Sequence, residues 1–304
     1  MSATSETIRR LTVNDIAKLY ADGQRIAMLT AYDYPTAKLL DGAGIPLLLV
    51  GDSLGRVMLG YENEIPVSMA DMLHHTSAVV RGAKRAFVIG DMPFLSYASP
   101  DAAVANSGRF LAEAGAQAVK LEGGVRSGRM MEAVVKAGIP VMGHIGWTPQ
   151  AANATGKVRV LGKTRDQGRA LLADALAVQE AGAFAIVLEL VPEQLAAAIT
   201  ERLHIPTIGI GAGAGCSGQV QVVTDLLGLD AWRPRHAKAY ADLRGTILEA
   251  ARAYAADVTA GTFPAAEQTV RMDEAVLDEI LGRGSPDRPT GTIPVGGIPL
   301  DRDL

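Results

Sequence analysis

Short runs of consecutive apolar residues recur along this chain, each closing in a polar or glycine-rich turn. Alanine-rich amphipathic stretches separate them. The runs are RIAMLTAYD from Arg25, PLLLVGDS from Pro46, AFVIGDMP from Ala86, AVKLEGG from Ala118 and PVMGHIG from Pro140, followed by AFAIVLELV from Ala183, PTIGIGAG from Pro206 and VQVVTDLL from Val220. Continuous rather than alternating apolar positions predict strands buried on both faces, as in a parallel sheet. The separating stretches predict helices. SPDAAVANSGRFLAEAGA opens on Ser99-Pro100, a cap followed by a first-turn proline, and finishes near Gly115. RDQGRALLADALAVQEAGA ends in the same way at Gly182, and VPEQLAAAITERLHIP lies between two runs. Strand candidates alternating with helices over this length predict a closed (β/α)8 TIM barrel rather than an open doubly wound sheet. No G-x-G-x-x-G follows the first strand to favour the open sheet.

Two segments break the rhythm. Residues 147–164, WTPQAANATGKVRVLGKT, are too long and too polar for an ordinary strand-to-helix loop, which marks a substrate-covering element. The stretch from Gly282 is rich in proline and glycine and reads as either a flexible tail or one laid over a neighbouring surface. The organisation expected is a single barrel domain with an N-terminal helical extension over 1–281, and a tail over 282–304.

Composition narrows the class. With 48% hydrophobic and 20% charged residues in 304, the chain is a packed globule rather than a disordered one. A net charge of -4 carries no basic footprint and argues against a nucleic-acid partner. No apolar run approaches the roughly 18 residues that span a bilayer, and MSATSETIRRLTVNDIAK lacks the apolar centre of a signal peptide. The single Cys216 precludes an internal disulfide and a cysteine-based metal site. A cytoplasmic protein without a membrane partner is the expectation.

In a barrel of this type the site forms at the carboxyl ends of the strands. Asp52 and Ser53 end the second run and Asp91 the third; Lys120 and Glu122 lie on the fourth, His144 on the fifth and Glu189 on the sixth. Each has an ordinary reading alone. An aspartate there caps a helix, Lys120 and Glu122 form a structural ion pair, and a lone histidine is hydrogen-bonded in the core. The glycine run Gly209–Gly215 resembles a phosphate cradle only weakly, because no Gly-Lys-Ser/Thr follows. Together the ordinary readings weaken, since buried carboxylates converging on one rim cost several kcal/mol each unless a cation meets them. Oxygen donors without thiolates suit a hard divalent cation such as Mg2+, so Asp52, Asp91 and Glu122 are candidate metal residues, directly or through waters. Glu189, in the apolar setting IVLELV, suits a general base better than a metal ligand. The set predicts proton abstraction next to the carbonyl of a 2-oxo acid, with Lys120 adding positive charge and Ser53 with its backbone N–H holding the carboxylate.

These motifs have a family context. The string from MLTAYDYPTAKLL through GDSLGRVMLGYENEIPVSMADMLHHTSAVVRGAKRAFVIGDMPFLSY, then AVKLEGG, GIPVMGHIGWTPQ, VLELVP and IGIGAGAGCSGQV, resembles the ketopantoate hydroxymethyltransferase family from about Thr12 to Glu267. The resemblance implies a barrel of the phosphoenolpyruvate mutase/isocitrate lyase superfamily that uses Mg2+. It implies transfer of a one-carbon unit from methylenetetrahydrofolate to 3-methyl-2-oxobutanoate, giving 2-dehydropantoate in pantothenate biosynthesis, by a cytoplasmic homodecamer. It makes Asp52 a metal-site residue and a substrate contact with Ser53, and Asp91 a metal ligand that also meets the substrate. Lys120 becomes a substrate contact, Glu122 a metal-site residue and Glu189 the proton acceptor. His144, in its GHIG setting, is an additional candidate.

The second half departs from the family pattern. Gly156, Lys157, Val158 and Arg159 replace a Gly-Gly-Tyr-Lys stretch, Ser217-Gly218-Gln219 an Asp-Gly-Gln, and Thr224-Asp225 a His-Asp, and the end motif reads Glu267-Gln268-Thr269. These positions are expected around the folate or a lid, not in the metal ring. Two alternatives stand beside the transferase: a metal-dependent aldolase or C–C lyase that uses no folate, and a non-catalytic paralogue.

Overall fold

Apolar runs buried on both faces need a covered sheet, and the chain supplies one by closing it into a ring. The computed structural model describes residues 9–283. Its parallel strands are β1 (Ile26–Thr30), β2 (Leu47–Val50), β3 (Phe87–Asp91), β4 (Ala118–Glu122), β5 (Val141–Gly146), β6 (Ala185–Glu189), β7 (Thr207–Ile210) and β8 (Gly218–Gln221). They pair in sequence order, and β8 returns to β1 from Ile26↔Gly218 to Leu29↔Gln221, so the barrel is closed as expected. Helices α1 (Val13–Ala21), α2 (Tyr34–Gly42), α3 (Leu54–Val57), α4 (Met69–Gly82), α5 (Pro100–Ala112) and α6 (Gly128–Lys136) accompany the first half. Those of the second half are α7 (Ala152–Thr155), α8 (Arg165–Glu180), α9 (Glu193–Arg202) and α10 (Val223–Leu227). Two of these helices are capped at their amino ends, the first as expected. Ser99 accepts the Ala102 N–H at 3.2 Å ahead of Pro100 in α5, and Thr164 accepts the Gln167 N–H at 3.3 Å in α8. No described helix is long and apolar enough to cross a membrane.

The eighth strand corrects the sequence reading. Only Val220 and Gln221 of the run from Val220 are strand; the strand begins at Gly218, and Val223–Leu227 are helical. The run criterion misplaced it because β8 alternates: Val220 is buried and Gln219 exposed, so the strand lacks the continuous apolar signature of the others. The β7–β8 connection also carries no helix. Its glycine run packs against α9, where a Cβ on Gly213 would lie 2.4 Å from Glu193 Cγ and one on Gly215 2.8 Å from the Ala197 side chain. Gly213 and Gly215 serve this close approach.

Alternate residues of each strand enter separate apolar layers, as the period of two requires. Met28, Leu49, Phe87, Ile89, Ala118, Met142 and Val187 pack inside the barrel, whereas Leu48, Val88, Val119, Val141 and Ile186 pack outward against helices. Ile16 of α1 joins the inner cluster. The segment before α1 is tied to the amino ends of β3 and β4, since Leu11 N–H donates to Arg85 O at 2.7 Å and Gln117 Nε2 to Leu11 O at 2.6 Å. The N-terminal helix therefore stoppers the barrel at the end opposite the carboxyl termini of the strands.

The chain divides into two units, Met1–Arg244 and Gly245–Leu304. The barrel lies in the first. The second contains most of helix α11 (Leu243–Ala260) and helix α12 (Glu274–Leu281), and within it the rings of Tyr254 and Phe263 meet edge to face at 5.4 Å. The tail expected over 282–304 lies, beyond Arg283, outside the described residues. Ile16 is 1% exposed inside the stopper. Ile16→Ala is expected to cost about 2–5 kcal/mol through lost burial and the cavity left behind. Urea unfolding followed by circular dichroism should show the lower midpoint with unchanged native helicity.

Candidate active site

Strand parity carries the apolar interior of the barrel directly into a charged rim. Phe87 and Ile89 are followed on the same face by Asp91; Ala118 by Lys120 and Glu122; Met142 by His144; and Ala185 and Val187 by Glu189. The strand register sets Asp91 beside Lys120 and Glu122 beside His144. Asp52 and Ser53 arrive differently, on the turn between β2 and α3. All seven residues expected from the sequence line one cavity of about 1080 Å³. The segment expected to cover the site lines it too, through Trp147, Pro149, Ala152 and residues 156–160.

The rim is an ion cluster short of positive charge. Lys120 Nζ lies 2.7 Å from Asp91 Oδ2 and 3.3 Å from His144 Nδ1. The ring of His144 also bridges two carboxylates, with Nδ1 3.5 Å from Glu122 Oε1 and Nε2 3.2 Å from Glu189 Oε2. The latter approach is close enough for ion pairing but is not aligned as a hydrogen bond. The Asp52 N–H donates to Asp91 Oδ2 at 3.3 Å, and the Tyr32 and Ser53 hydroxyls share a hydrogen bond of 2.9 Å. Glu189 is the most open of the cluster's carboxylates, with its side chain 18% exposed. It is not enclosed by its apolar strand, because the residue that follows, Leu190, turns the chain away with φ +50. That left-handed conformation costs about 1–2 kcal/mol for a residue with a Cβ. It is held by hydrogen bonds from Leu190 N to Ile210 O and from Leu161 N to Leu190 O. The neighbouring end of β5 depends on Gly146, whose φ is +93 and whose Cβ would fall 2.1 Å from Glu189 O.

Burial and charge shift the titration of the cluster in opposing ways. Burial pushes the Asp91 carboxyl well above the usual range, against the pull of Lys120, and it raises Glu122 as well. Burial works against the charge on Lys120, yet Asp91, Asp52 and Glu122 hold its pKa above the ordinary value. For His144, burial and Lys120 oppose protonation, but the Glu122 and Glu189 carboxylates raise its pKa to about 9.

The donor set fits a divalent cation. Asp91 Oδ1 and Glu122 Oε1 are both buried without a hydrogen-bond partner, an arrangement that costs free energy unless a cation or a proton meets them. Among the described residues no three His, Cys, Asp or Glu side chains are grouped to hold one metal directly. An ion such as Mg2+ would therefore meet one or two of these carboxylates directly and complete its shell with waters or substrate oxygens.

Three residues of the site have no counterpart in the sequence reading. Gln150 donates from Nε2 to Asp52 Oδ2 at 2.7 Å and to Met92 O at 2.8 Å, and its backbone N–H donates to Glu122 Oε2 at 3.1 Å. Tyr97 donates its hydroxyl to Gln150 Oε1 at 2.6 Å. Glu64 is buried on the cavity wall with Arg56 3.9 Å away, and burial, helped by Asp52, raises its pKa to about 7. Gln150 stands in the quoted TPQ, so its motif was visible; an uncharged amide in a polar loop gives no sign that it meets two carboxylates. Glu64 stands in a polar loop that reads as exposed.

The departures from the family pattern separate in space. Lys157, Val158 and Arg159 line the cavity, with Arg56, Arg235 and His236. Thr224 is buried in α10, just beyond β8. Ser217 is not near the site. It precedes β8 at the amino end of the strands, where its N–H donates to Thr207 Oγ1 at 3.1 Å and its carbonyl accepts from Ile26 N at 3.1 Å. The glycine run descends the outside of the barrel before the chain reaches Ser217, a change of end that spacing along the sequence does not reveal.

Two measurements test this electrostatic picture. Lys120→Met leaves Asp91 buried without its ion pair and is expected to cost about 3–5 kcal/mol, part of which Asp91→Asn in the same chain restores. A urea double-mutant cycle reads both effects. Glu64 binds its proton more tightly folded than unfolded, so its contribution to stability falls as pH rises from about 4.5 through 7. Glu64→Gln should remove that component of the pH dependence, leaving a flatter unfolding profile across this window.

Comparison with known proteins places this geometry. Residues 10–266 match the family model described as ketopantoate hydroxymethyltransferase. A 3-methyl-2-oxobutanoate hydroxymethyltransferase of Chloroflexus aurantiacus is 62% identical over 274 residues, covering 90% of this chain and 97% of the relative. One from Dehalococcoides mccartyi is 54% identical over 273 residues, covering 89% and 98%. Among solved structures, phosphonopyruvate hydrolase in complex with oxalate and Mg2+ superposes with a TM-score of 0.56 at 14% identity, covering 90% of this chain and 96% of that one. A 2,3-dimethylmalate lyase of the PEP mutase/isocitrate lyase superfamily also gives 0.56 at 14%, covering 90% and 92%. At such identities these two share the fold alone. On the match across most of its length and on relatives above half identity, the chain belongs to the ketopantoate hydroxymethyltransferase family.

Proposed function

We propose that this enzyme transfers a hydroxymethyl group from methylenetetrahydrofolate to 3-methyl-2-oxobutanoate, giving 2-dehydropantoate for pantothenate biosynthesis. The observation that carries the reading is the convergence of Lys120, the Glu189–His144 pair and the carboxylates of Asp52, Asp91 and Glu122 on one cavity. The presence of the whole set on one cavity also disfavours the non-catalytic paralogue.

In this reading Ser53 and the backbone beside it bind the substrate carboxylate, and Lys120 faces the developing negative charge at the keto oxygen. Asp52, Asp91 and Glu122 would hold a Mg2+ ion, directly or through its waters, and the ion would supply Lewis-acid stabilisation of that charge. Glu189 is open to the cavity and takes the proton from C3. The C–H electron pair is left in the enolate and then forms the new C–C bond to the one-carbon unit. One water supplies the hydroxyl group as both C–N bonds to the one-carbon unit break, and its other hydrogen and the proton taken from C3 end on the two nitrogens of the departing tetrahydrofolate. His144 keeps the Glu189 carboxylate directed into the cavity through its Nε2 contact. Catalysis by residues 1–281 as one domain, a cytoplasmic location and assembly as a homodecamer belong to the same proposal, on the family resemblance.

A second reading keeps the enolate and changes its partner to a folate-independent aldol or lyase reaction. It is favoured by the placement of Lys157, Val158 and Arg159, which depart from the family pattern, on the cavity wall.

Incubation with 3-methyl-2-oxobutanoate, methylenetetrahydrofolate and Mg2+ should yield 2-dehydropantoate. Absence of product from folded, cation-loaded protein rejects the proposal. Solvent deuterium entering the 2-oxo acid without folate-dependent product selects the second reading. Glu189→Gln should lower kcat by about 10²–10⁴-fold, the contribution of a positioned general base, while divalent-cation binding is retained.

A further inference from the structure

We propose that Gln150, locked in place by Tyr97, is a positioning residue that sets which oxygens of Asp52 and Glu122 are turned toward the divalent cation. The inference rests on the reading of these carboxylates as the cation site.

The hydrogen bonds admit one orientation of the amide. Nε2 faces Asp52 Oδ2 and the Met92 carbonyl, which are both acceptors only, so its two N–H bonds are assigned. Oε1 is left to accept, and Tyr97 donates to it. The Tyr97 oxygen then accepts the Glu122 N–H at 3.3 Å, so the chain of donors runs in one direction from Glu122 N–H through Tyr97 to the amide. The backbone N–H of Gln150 closes the loop on Glu122 Oε2. One residue thus grips the side chains of two acids from different strand ends and, through Tyr97, the backbone of one of them.

The consequence lies in the oxygens left over. Gln150 occupies Glu122 Oε2 and leaves Oε1 buried and without a hydrogen bond; Lys120 and the Asp52 N–H occupy Asp91 Oδ2 and leave Oδ1 in the same condition. On Asp52 the amide occupies Oδ2. The chemistry of the residue type fits the task. An amide supplies two donors and an acceptor with no charge, so it orients carboxylates without neutralising the charge that attracts a cation. A lysine or arginine here would compete with the ion, and a glutamate would repel Asp52. Gln150 is 5% exposed and sits in the 3-10 turn Pro149–Ala151, where proline restricts the backbone at the preceding position. The turn therefore delivers the amide with little freedom to lose. Partners of this kind, outside the ligands themselves, typically account for 10–100-fold in metal affinity.

Mn2+ binding to the full chain, read from the loss of the free-ion electron paramagnetic resonance signal, tests the proposal without any turnover. Gln150→Met keeps the length and removes the donors; it should weaken Mn2+ binding by about 10–100-fold and change the spectrum of the bound ion, with the native circular dichroism retained in chelator although the urea midpoint falls. Tyr97→Phe removes only the hydroxyl and should weaken binding in the same direction. Affinity within twofold of wild type in a folded Gln150→Met protein overturns the proposal. If that variant does not fold, unchanged affinity in Tyr97→Phe overturns it. A wild-type chain that binds no Mn2+ instead overturns the cation reading and this inference with it, and so marks the two failures apart.

Discussion

The barrel mouth holds more buried carboxylate than buried cation, and most of what surrounds it answers that imbalance. Lys120 is the one buried lysine or arginine among the described residues, while Asp52, Asp91, Glu122 and Glu64 are all buried around the same cavity. An isolated buried carboxylate is destabilising by several kcal/mol even after local relaxation. The protein meets this partly by pairing, through Lys120 on Asp91 and His144 between Glu122 and Glu189, and partly by neutral donors such as Gln150 and the Asp52 N–H. The rest stays uncompensated, in the upward shifts of Asp91 and Glu122 and in two buried oxygens without partners. That unmet charge calls for a cation or a proton.

Such a cluster is tolerable only in a frame that does not yield. The closed sheet has no open edge, and its interior is filled up to the layer immediately beneath the charges by Ile89, Met142 and Val187. At the far end α1 seals the same interior with Ile16. Stability and chemistry therefore occupy opposite ends of one barrel, the usual division of labour in this architecture. The single connection without a helix, between β7 and β8, lets the glycine run lie directly on α9.

The solved structures of similar fold show how little the frame commits the chemistry. A phosphonopyruvate hydrolase and a dimethylmalate lyase share this barrel at 14% identity, and what differs between such enzymes is carried by side chains at strand ends and by loops. In this chain the loop contribution is concrete. The segment after β5 brings Gln150 under the carboxylates and Lys157 to Arg159 onto the cavity wall, so one excursion both supports the charged ring and shapes the space above it.

Much of this was legible in the residues alone, for a definite reason. A strand buried on both faces writes itself as a continuous apolar run, and parity along that run decides which residues share a face. Parity alone therefore assigns Asp91, Lys120, Glu122, His144 and Glu189 to one rim. The eighth strand escaped because it alternates Val220 with exposed Gln219. The apolar setting IVLELV gives no sign that Glu189 is open, yet its side chain is the most exposed of the cluster's acids. Ser217 was expected near the site and lies at the opposite end, because sequence distance does not say in which direction a helix-free connection runs. Gln150 and Tyr97 were beyond reach for a related reason. Their roles consist of contacts made across long separations in the chain, 98 residues between Gln150 and Asp52 and 53 between Tyr97 and Gln150. Composition and period determine the strands and the face each residue takes; only closure of the barrel decides which loops meet over the rim.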